Sequence, residues 1–215
     1  MERIICLAIG YVFGMFQTSY IIGKMHHMDI RQYGSGNAGT TNALRTLGKK
    51  AGAITLIGDM LKCVVAILVA DAIFKNQYSD ILPLLGMYTA AGCVLGHNFP
   101  FYLGFKGGKG IAASAGMLLA MDWRVFLICA VIFIGIVAVT RYVSLGSMLA
   151  YVGALVSFIV LGAMGHYGMD FSCTIEMDVV MGLMTALAIY RHRANISRLL
   201  NGTENKLGAS KNASK

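Results

Sequence analysis

From Ile4 to Gly23, from Ile81 to Phe105 and from Tyr142 to Met169 the chain carries no Lys, Arg, Asp or Glu. A helix needs about 20 mostly apolar residues to cross a bilayer, so uncharged runs of this length restrict the chain more than any motif in it. Other apolar stretches are Ala51 to Ala70, interrupted only by Asp59 and Lys62, the short Ile111 to Met121, Val125 to Thr140, and Val179 to Tyr190, which can begin earlier near Ile175. The expectation is an all-α integral membrane protein, a bundle of about seven transmembrane helices, some of them short. The fourth and seventh are the shortest, because a dozen residues rise only about 18 Å against a hydrocarbon core of about 30 Å.

Charge sets the orientation. Lys and Arg concentrate in short cytoplasmic loops. With seven spans and the N-terminus outside, the inner loops and tail collect Arg45, Lys49, Lys106, Lys109, Arg141 and Arg191 among others. The outer side keeps Arg3, Lys75 and Arg124 beside Asp71, Asp80, Asp122, Asp170, Glu176 and Asp178. The C-terminus is then cytoplasmic. Residues 1–200 read as one transmembrane domain, and 201–215 as a polar, flexible cytoplasmic tail.

With 57% hydrophobic and 13% charged residues, against roughly 25% charged in soluble domains, a soluble fold is excluded. The net charge of +8 lies in short loops, where it serves topology and lipid headgroups; no nucleic-acid partner is expected. The cysteines Cys6, Cys63, Cys93, Cys129 and Cys173 are scattered and show no disulfide or zinc spacing. The first apolar run is long and lacks a small-residue cleavage site, which fits a retained span.

Polar groups that a membrane bundle has no structural need to keep gather on the inner side. In "YGSGNAGTTNALR", Gly34, Gly36 and Gly39 match G-x-G-x-x-G, and Asp59 lies about 20 residues on. A spanning helix precedes the motif and Asp59 lies inside the next one, so no dinucleotide-binding βαβ unit forms. What remains is a glycine turn and a helix start that offer N–H groups to phosphate. Asn42 and Arg45, and Thr41 and Arg45, share a helix face there. "GHNFPFYLGFKGGKG" sets Lys106 and Lys109 among glycines that allow close approach of a ligand. It is no Walker A loop. "RYVSLGS" brings Arg141, Ser144 and Ser147 to a helix start, and "YRHRANISRL" puts His192 and Asn195 on one face. Each cluster alone reads as topology, a turn or a cap. Four clusters at one membrane level read as a site for a phosphate-bearing ligand.

Together "GSGNAGTTNALRTLG", "GHNFPFYLGFKGGKG", "RYVSLGS" and "RHRANISRLLNGTENK" resemble, in order and interval, the bacterial acyl-phosphate:glycerol-3-phosphate acyltransferases, the PlsY family. The resemblance implies transfer of a fatty acyl group from acyl phosphate to the 1-hydroxyl of glycerol 3-phosphate. Lysophosphatidate and phosphate leave, with no cofactor and no metal, in phospholipid biosynthesis at the cytoplasmic side of the bacterial inner membrane. Carried over by motif, it implies phosphate or substrate binding by Ser35, Gly36, Asn37, Gly39, Arg45, Lys106, Gly107, Gly108, Lys109, Arg141, Ser144 and Ser147. His192, Asn195, Lys109 and Arg45 are the implied catalytic set, and His97 and Asn42 support it. Thr40 stands where alanine is expected and Cys63 where glycine is.

The implied partners are the two substrates and membrane lipid; the sequence does not set the oligomeric state, and a monomer is compatible with it. Direct attack is expected, since no Ser or Cys has a His-plus-carboxylate arrangement. The proton passes to His192 or to the departing phosphate. The rival readings are a phosphate-ester transporter, whose site belongs near the bilayer midplane, and a lipid-binding scaffold.

Overall fold

The computed structural model describes residues 1–208, and the end of the expected tail, 209–215, lies outside them. Ten α-helices follow one another with no strand among the described residues: α1 Glu2–Gly14, α2 Thr18–Met25, α3 Thr40–Leu47, α4 Lys49–Phe74 and α5 Leu82–Asn98. Then come α6 Ile111–Met121, α7 Trp123–Thr140, α8 Val143–Ala163, α9 Phe171–Arg191 and α10 Arg193–Leu200. Among the described residues six segments can cross a membrane by length and composition: Glu2–Met25, Lys49–Phe74, Ser79–Leu103, Trp123–Thr140, Val143–Ala163 and Phe171–Arg191.

The sequence pattern predicts seven spans; α6, the remaining one, also runs from the basic loops to the acidic end, and its length alone keeps it out of that set. Its 11 residues rise about 16 Å. Gly110 starts it at φ 81°, and Asp122 ends it by turning to cap α7, accepting from Arg124 N at 2.9 Å. It lies buried against α4 and α5. Two boundaries also move. The expected first span is two helices, broken at Met15–Gln17. The last begins at Phe171, where Asp170 caps it by accepting from Cys173 N at 2.7 Å.

Small residues set the closest contact in the bundle. Gly10 and Gly14 of α1 face Gly92 and Gly96 of α5, two small-x-x-x-small pairs that bring helix backbones together. A Cβ at Gly10 would lie 1.9 Å from Thr89 O, and one at Gly92 2.1 Å from Leu7 O. Leu84, Met87, Met117, Phe158, Met177 and Met181 fill the core beside them. Val131 and Val139 of α7 are 72% and 85% exposed, an apolar face of the kind a membrane covers.

The two ends of the bundle differ in charge. At one end acids dominate: Glu176 accepts from Arg3 Nε at 2.6 Å and from Tyr88 Oη at 2.7 Å, and Asp122 pairs with His166 at 3.0 Å. At the other end lie α3, α10, the glycine loops and most of the Lys and Arg side chains.

Candidate active site

At the basic end a cavity of about 1170 Å³ runs from the loops into the bundle. Its mouth is polar. Its inner arm is apolar, walled by Met60, Met117, Phe126, Phe133, Ala154 and Met181 from five helices. Ordinary small-ligand pockets occupy about 300–1,000 Å³, so this one has room for a polar head and a long chain. All the site residues expected from sequence line it except Gly108 and Arg141.

The first loop is held by one side chain. Asn42 is 1% exposed, accepts from Ser35 N at 2.8 Å, and donates to Ile30 O and Tyr33 O, both at 3.0 Å. With its oxygen and both amide hydrogens engaged by the loop, Asn42 shapes it and leaves Ser35 and Asn37 at the cavity rim. Gly34 and Gly36, at φ 61° and 70°, allow the turn. One turn along α3, Arg45 lines the same rim and donates to Asn205 O at 3.4 Å.

The glycines of the second loop do other work than expected. Gly107 N donates to Asn98 O at 3.2 Å and Gly108 N to His97 O at 3.0 Å, so neither amide is left for a phosphate. A Cβ at Gly107 would lie 2.1 Å from His97 O, and one at Gly108 2.1 Å from His97 Nε2. The pair lets the loop pack onto the end of α5. Arg191 pins it, donating to Gly108 O at 2.8 Å and Gly107 O at 3.3 Å. Lys106 stays exposed at the rim, while half-buried Lys109 turns inward and donates to Asn195 Oδ1.

Arg141 is the second departure. Its Nε and Nη2 donate to Leu207 O at 3.0 and 2.8 Å, and Leu207 N returns a bond to Arg141 O at 2.7 Å. It latches the chain beyond α10. Ser147 donates to Val143 O within its own helix at 2.8 Å, and Ser144 to Glu204 Oε1 at 2.9 Å. Of the two unusual positions, Thr40 begins α3 on the cavity wall, and Cys63 is fully buried in the core.

Glu204 is the residue that sequence reasoning missed. Its buried carboxylate accepts from Ser144, from Asn195 Nδ2 at 2.7 Å and from Arg198 Nε at 2.7 Å. It thus ties α8, α10 and the following segment into one cluster. Its signal was faint: beside Asp29, which Arg31 neutralises at 2.7 Å, it is the one acid among the inner loops and tail.

Burial and partners set the charges. Burial pushes Lys109 down to about 8; Glu204 opposes this, and Arg198, Arg191 and Arg45 add to it. His192, 2% exposed, is held at about 4 by burial and the Lys109 charge, so it is neutral at pH 7. A carbonyl can only accept, so the 2.7 Å contact to Ala188 O assigns the ring proton to Nδ1 and leaves Nε2 an acceptor. Burial pushes Glu204 up, but the bonds from Asn195, Arg198 and Ser144 outweigh it and hold it below the usual carboxylate range. Among the described residues no three His, Cys, Asp or Glu side chains gather in a metal-holding group.

A family model described as glycerol-3-phosphate acyltransferase matches residues 4–202. A glycerol-3-phosphate acyltransferase of Clostridioides difficile is 46% identical over 210 residues, covering 97% of each chain. One of Lactiplantibacillus plantarum is 42% identical over 207 residues, covering 95% of this chain and 91% of that one. Crystal structures of PlsY, an integral membrane glycerol 3-phosphate acyltransferase, align over 97% of this chain and 96% of theirs. The glycerol 3-phosphate form does so at 35% identity with TM-score 0.81, the lysophosphatidic acid form at 34% with 0.79.

Proposed function

Since the chain belongs to the glycerol-3-phosphate acyltransferase family, we propose that it draws its acyl group from an acyl phosphate, places it on the 1-hydroxyl of glycerol 3-phosphate, and releases lysophosphatidate and inorganic phosphate. The observation that carries this reading is the single cavity that joins a basic mouth to an apolar arm. A charged phosphate ester and a fatty chain meet there, each in a wall of its own kind.

Both substrates bear phosphate, and their repulsion must be offset at the mouth. Arg45, Lys106 and Lys109 supply the cations, with Ser35 and Asn37 on the rim. Holding both reactants in one cavity supplies much of the rate by orientation. The 1-oxygen forms its bond to the acyl carbonyl carbon as the carbon–oxygen bond to the departing phosphate breaks. The hydroxyl proton goes to His192 Nε2 or to an oxygen of that phosphate. Lys109, held by Asn195 Oδ1, faces the developing charge.

Transfer is direct, with no acyl-enzyme. Ser144 is engaged by Glu204, Ser147 bonds its own helix, and all five cysteines are buried thiols. The basic end is read as cytoplasmic and the membrane as the bacterial inner membrane, on the excess of Lys and Arg at that end.

Detergent-purified protein given acyl phosphate and glycerol 3-phosphate is expected to form lysophosphatidate and release phosphate, and to ignore acyl-CoA. Equal use of acyl-CoA would overturn the donor. A radiolabelled acyl chain retained on denatured protein, after acyl phosphate alone, would overturn direct transfer.

A further inference from the structure

Asp59 and Lys62 of α4 and His97 of α5 are ionisable groups inside membrane-spanning helices, and none of them enters the reaction above. Such groups are costly in a bilayer and mark function by default. They are 1%, 6% and 2% exposed. Lys62 Nζ reaches Gly14 O at 3.1 Å, Phe16 O at 2.6 Å, Asp59 Oδ1 at 3.0 Å and His97 Nδ1 at 2.8 Å. An ammonium only donates, so Nδ1 accepts and the proton of the neutral imidazole sits on Nε2.

The Nε2 side of that ring faces the substrate loops. A Cβ at Gly108 would lie 2.1 Å from Nε2 and 2.5 Å from Ala38 O. The ring is therefore wedged between Lys62 and the loops that carry Lys109 and Asn37. The His97 carbonyl adds a second hold, accepting from Gly108 N at 3.0 Å and Gln17 Nε2 at 2.9 Å. We infer that Lys62 is a positioning residue: through His97 it fixes the Gly107–Lys109 loop and so the placement of the Lys109 ammonium.

A purely structural role competes with this, because Lys62 also satisfies carbonyls at the break between α1 and α2. The two differ in what His97 contributes. If Lys62 acts through His97, the residues share one path and their effects do not add.

The inference rests on the role given above to Lys109, and the test separates the two. A lone buried carboxylate is costly, so Lys62→Met is made together with Asp59→Asn. His97→Asn and the combination of all three changes complete the set. Each is expected to raise the KM for glycerol 3-phosphate about tenfold in protein that stays folded, and the combination to be no worse than either. Unchanged KM in folded variants, or losses that multiply, would overturn the inference. Should the paired variant not fold, His97→Asn decides alone, since it leaves Lys62 its three oxygen acceptors. If the wild type turned over no acyl phosphate, the donor reading would fall, and the same comparison is then read from calorimetric binding of glycerol 3-phosphate.

Discussion

Lys109 shows how much one residue's surroundings decide. A lysine at about 8 is charged at neutral pH and loses its proton as pH rises through that value. The kcat/KM for glycerol 3-phosphate is therefore expected to fall above about pH 8. In Lys109→Arg the alkaline limb should vanish, because guanidinium stays protonated, while the rate drops as the fork replaces a point charge. Lys109→Met should lose about a hundredfold at every pH. A pH–rate profile of the three proteins checks all of this, and an alkaline limb that persists in Lys109→Arg would assign it elsewhere. His192, neutral from about 4 upward, adds no limb in that range. His192 and Asn195 were legible in the sequence because spacing on a helix fixes which side chains share a face, and Lys109 because it is a cation set among glycines. Glu204 was not, because an acid in a polar tail has the pattern of a solvated residue, and its burial comes from contacts 60 and 9 residues away. Arg141 and Gly108 were assigned by motif, and motif gives neighbourhood without partners. The carbonyls that engage them belong to Leu207 and His97.

At the scale of elements, hydropathy found the long helices and misjudged the breaks. The split after Gly14 hides inside an uncharged run, and what stabilises it is Lys62, 46 residues beyond Phe16. The short α6 was visible as a short run. Its role as an interior helix became clear only from Gly116, whose missing Cβ would lie 2.2 Å from Met60 O. The same logic makes α1 and α5 sensitive. Gly92→Leu is expected to cost about 3 kcal/mol or more, since a side chain would enter the Leu7 carbonyl of the facing helix. Gly182→Ala, mid-helix with nothing within 4 Å of its added carbon, should stabilise by about 0.5–1 kcal/mol. Thermal unfolding in detergent compares them, and equal midpoints would show that α1 and α5 can separate without cost.

Over the whole molecule, the asymmetry of charge carries the orientation. The five native cysteines are buried, so single added thiols can report which side they face. Lys49→Cys, at the basic end, is expected to react with a membrane-impermeant maleimide only from the cytoplasmic side, and Lys75→Cys only from the other. Labelling of both from one side would contradict the span count between them. The latch beyond α10 has a consequence for biosynthesis. Glu204 is translated after every helix of the bundle, yet it bridges α8 to α10 at the cavity mouth, and Leu207 closes onto Arg141. A messenger truncated after α10 would therefore yield a chain with all its membrane-crossing helices and neither Glu204 nor Leu207 to close the cavity mouth.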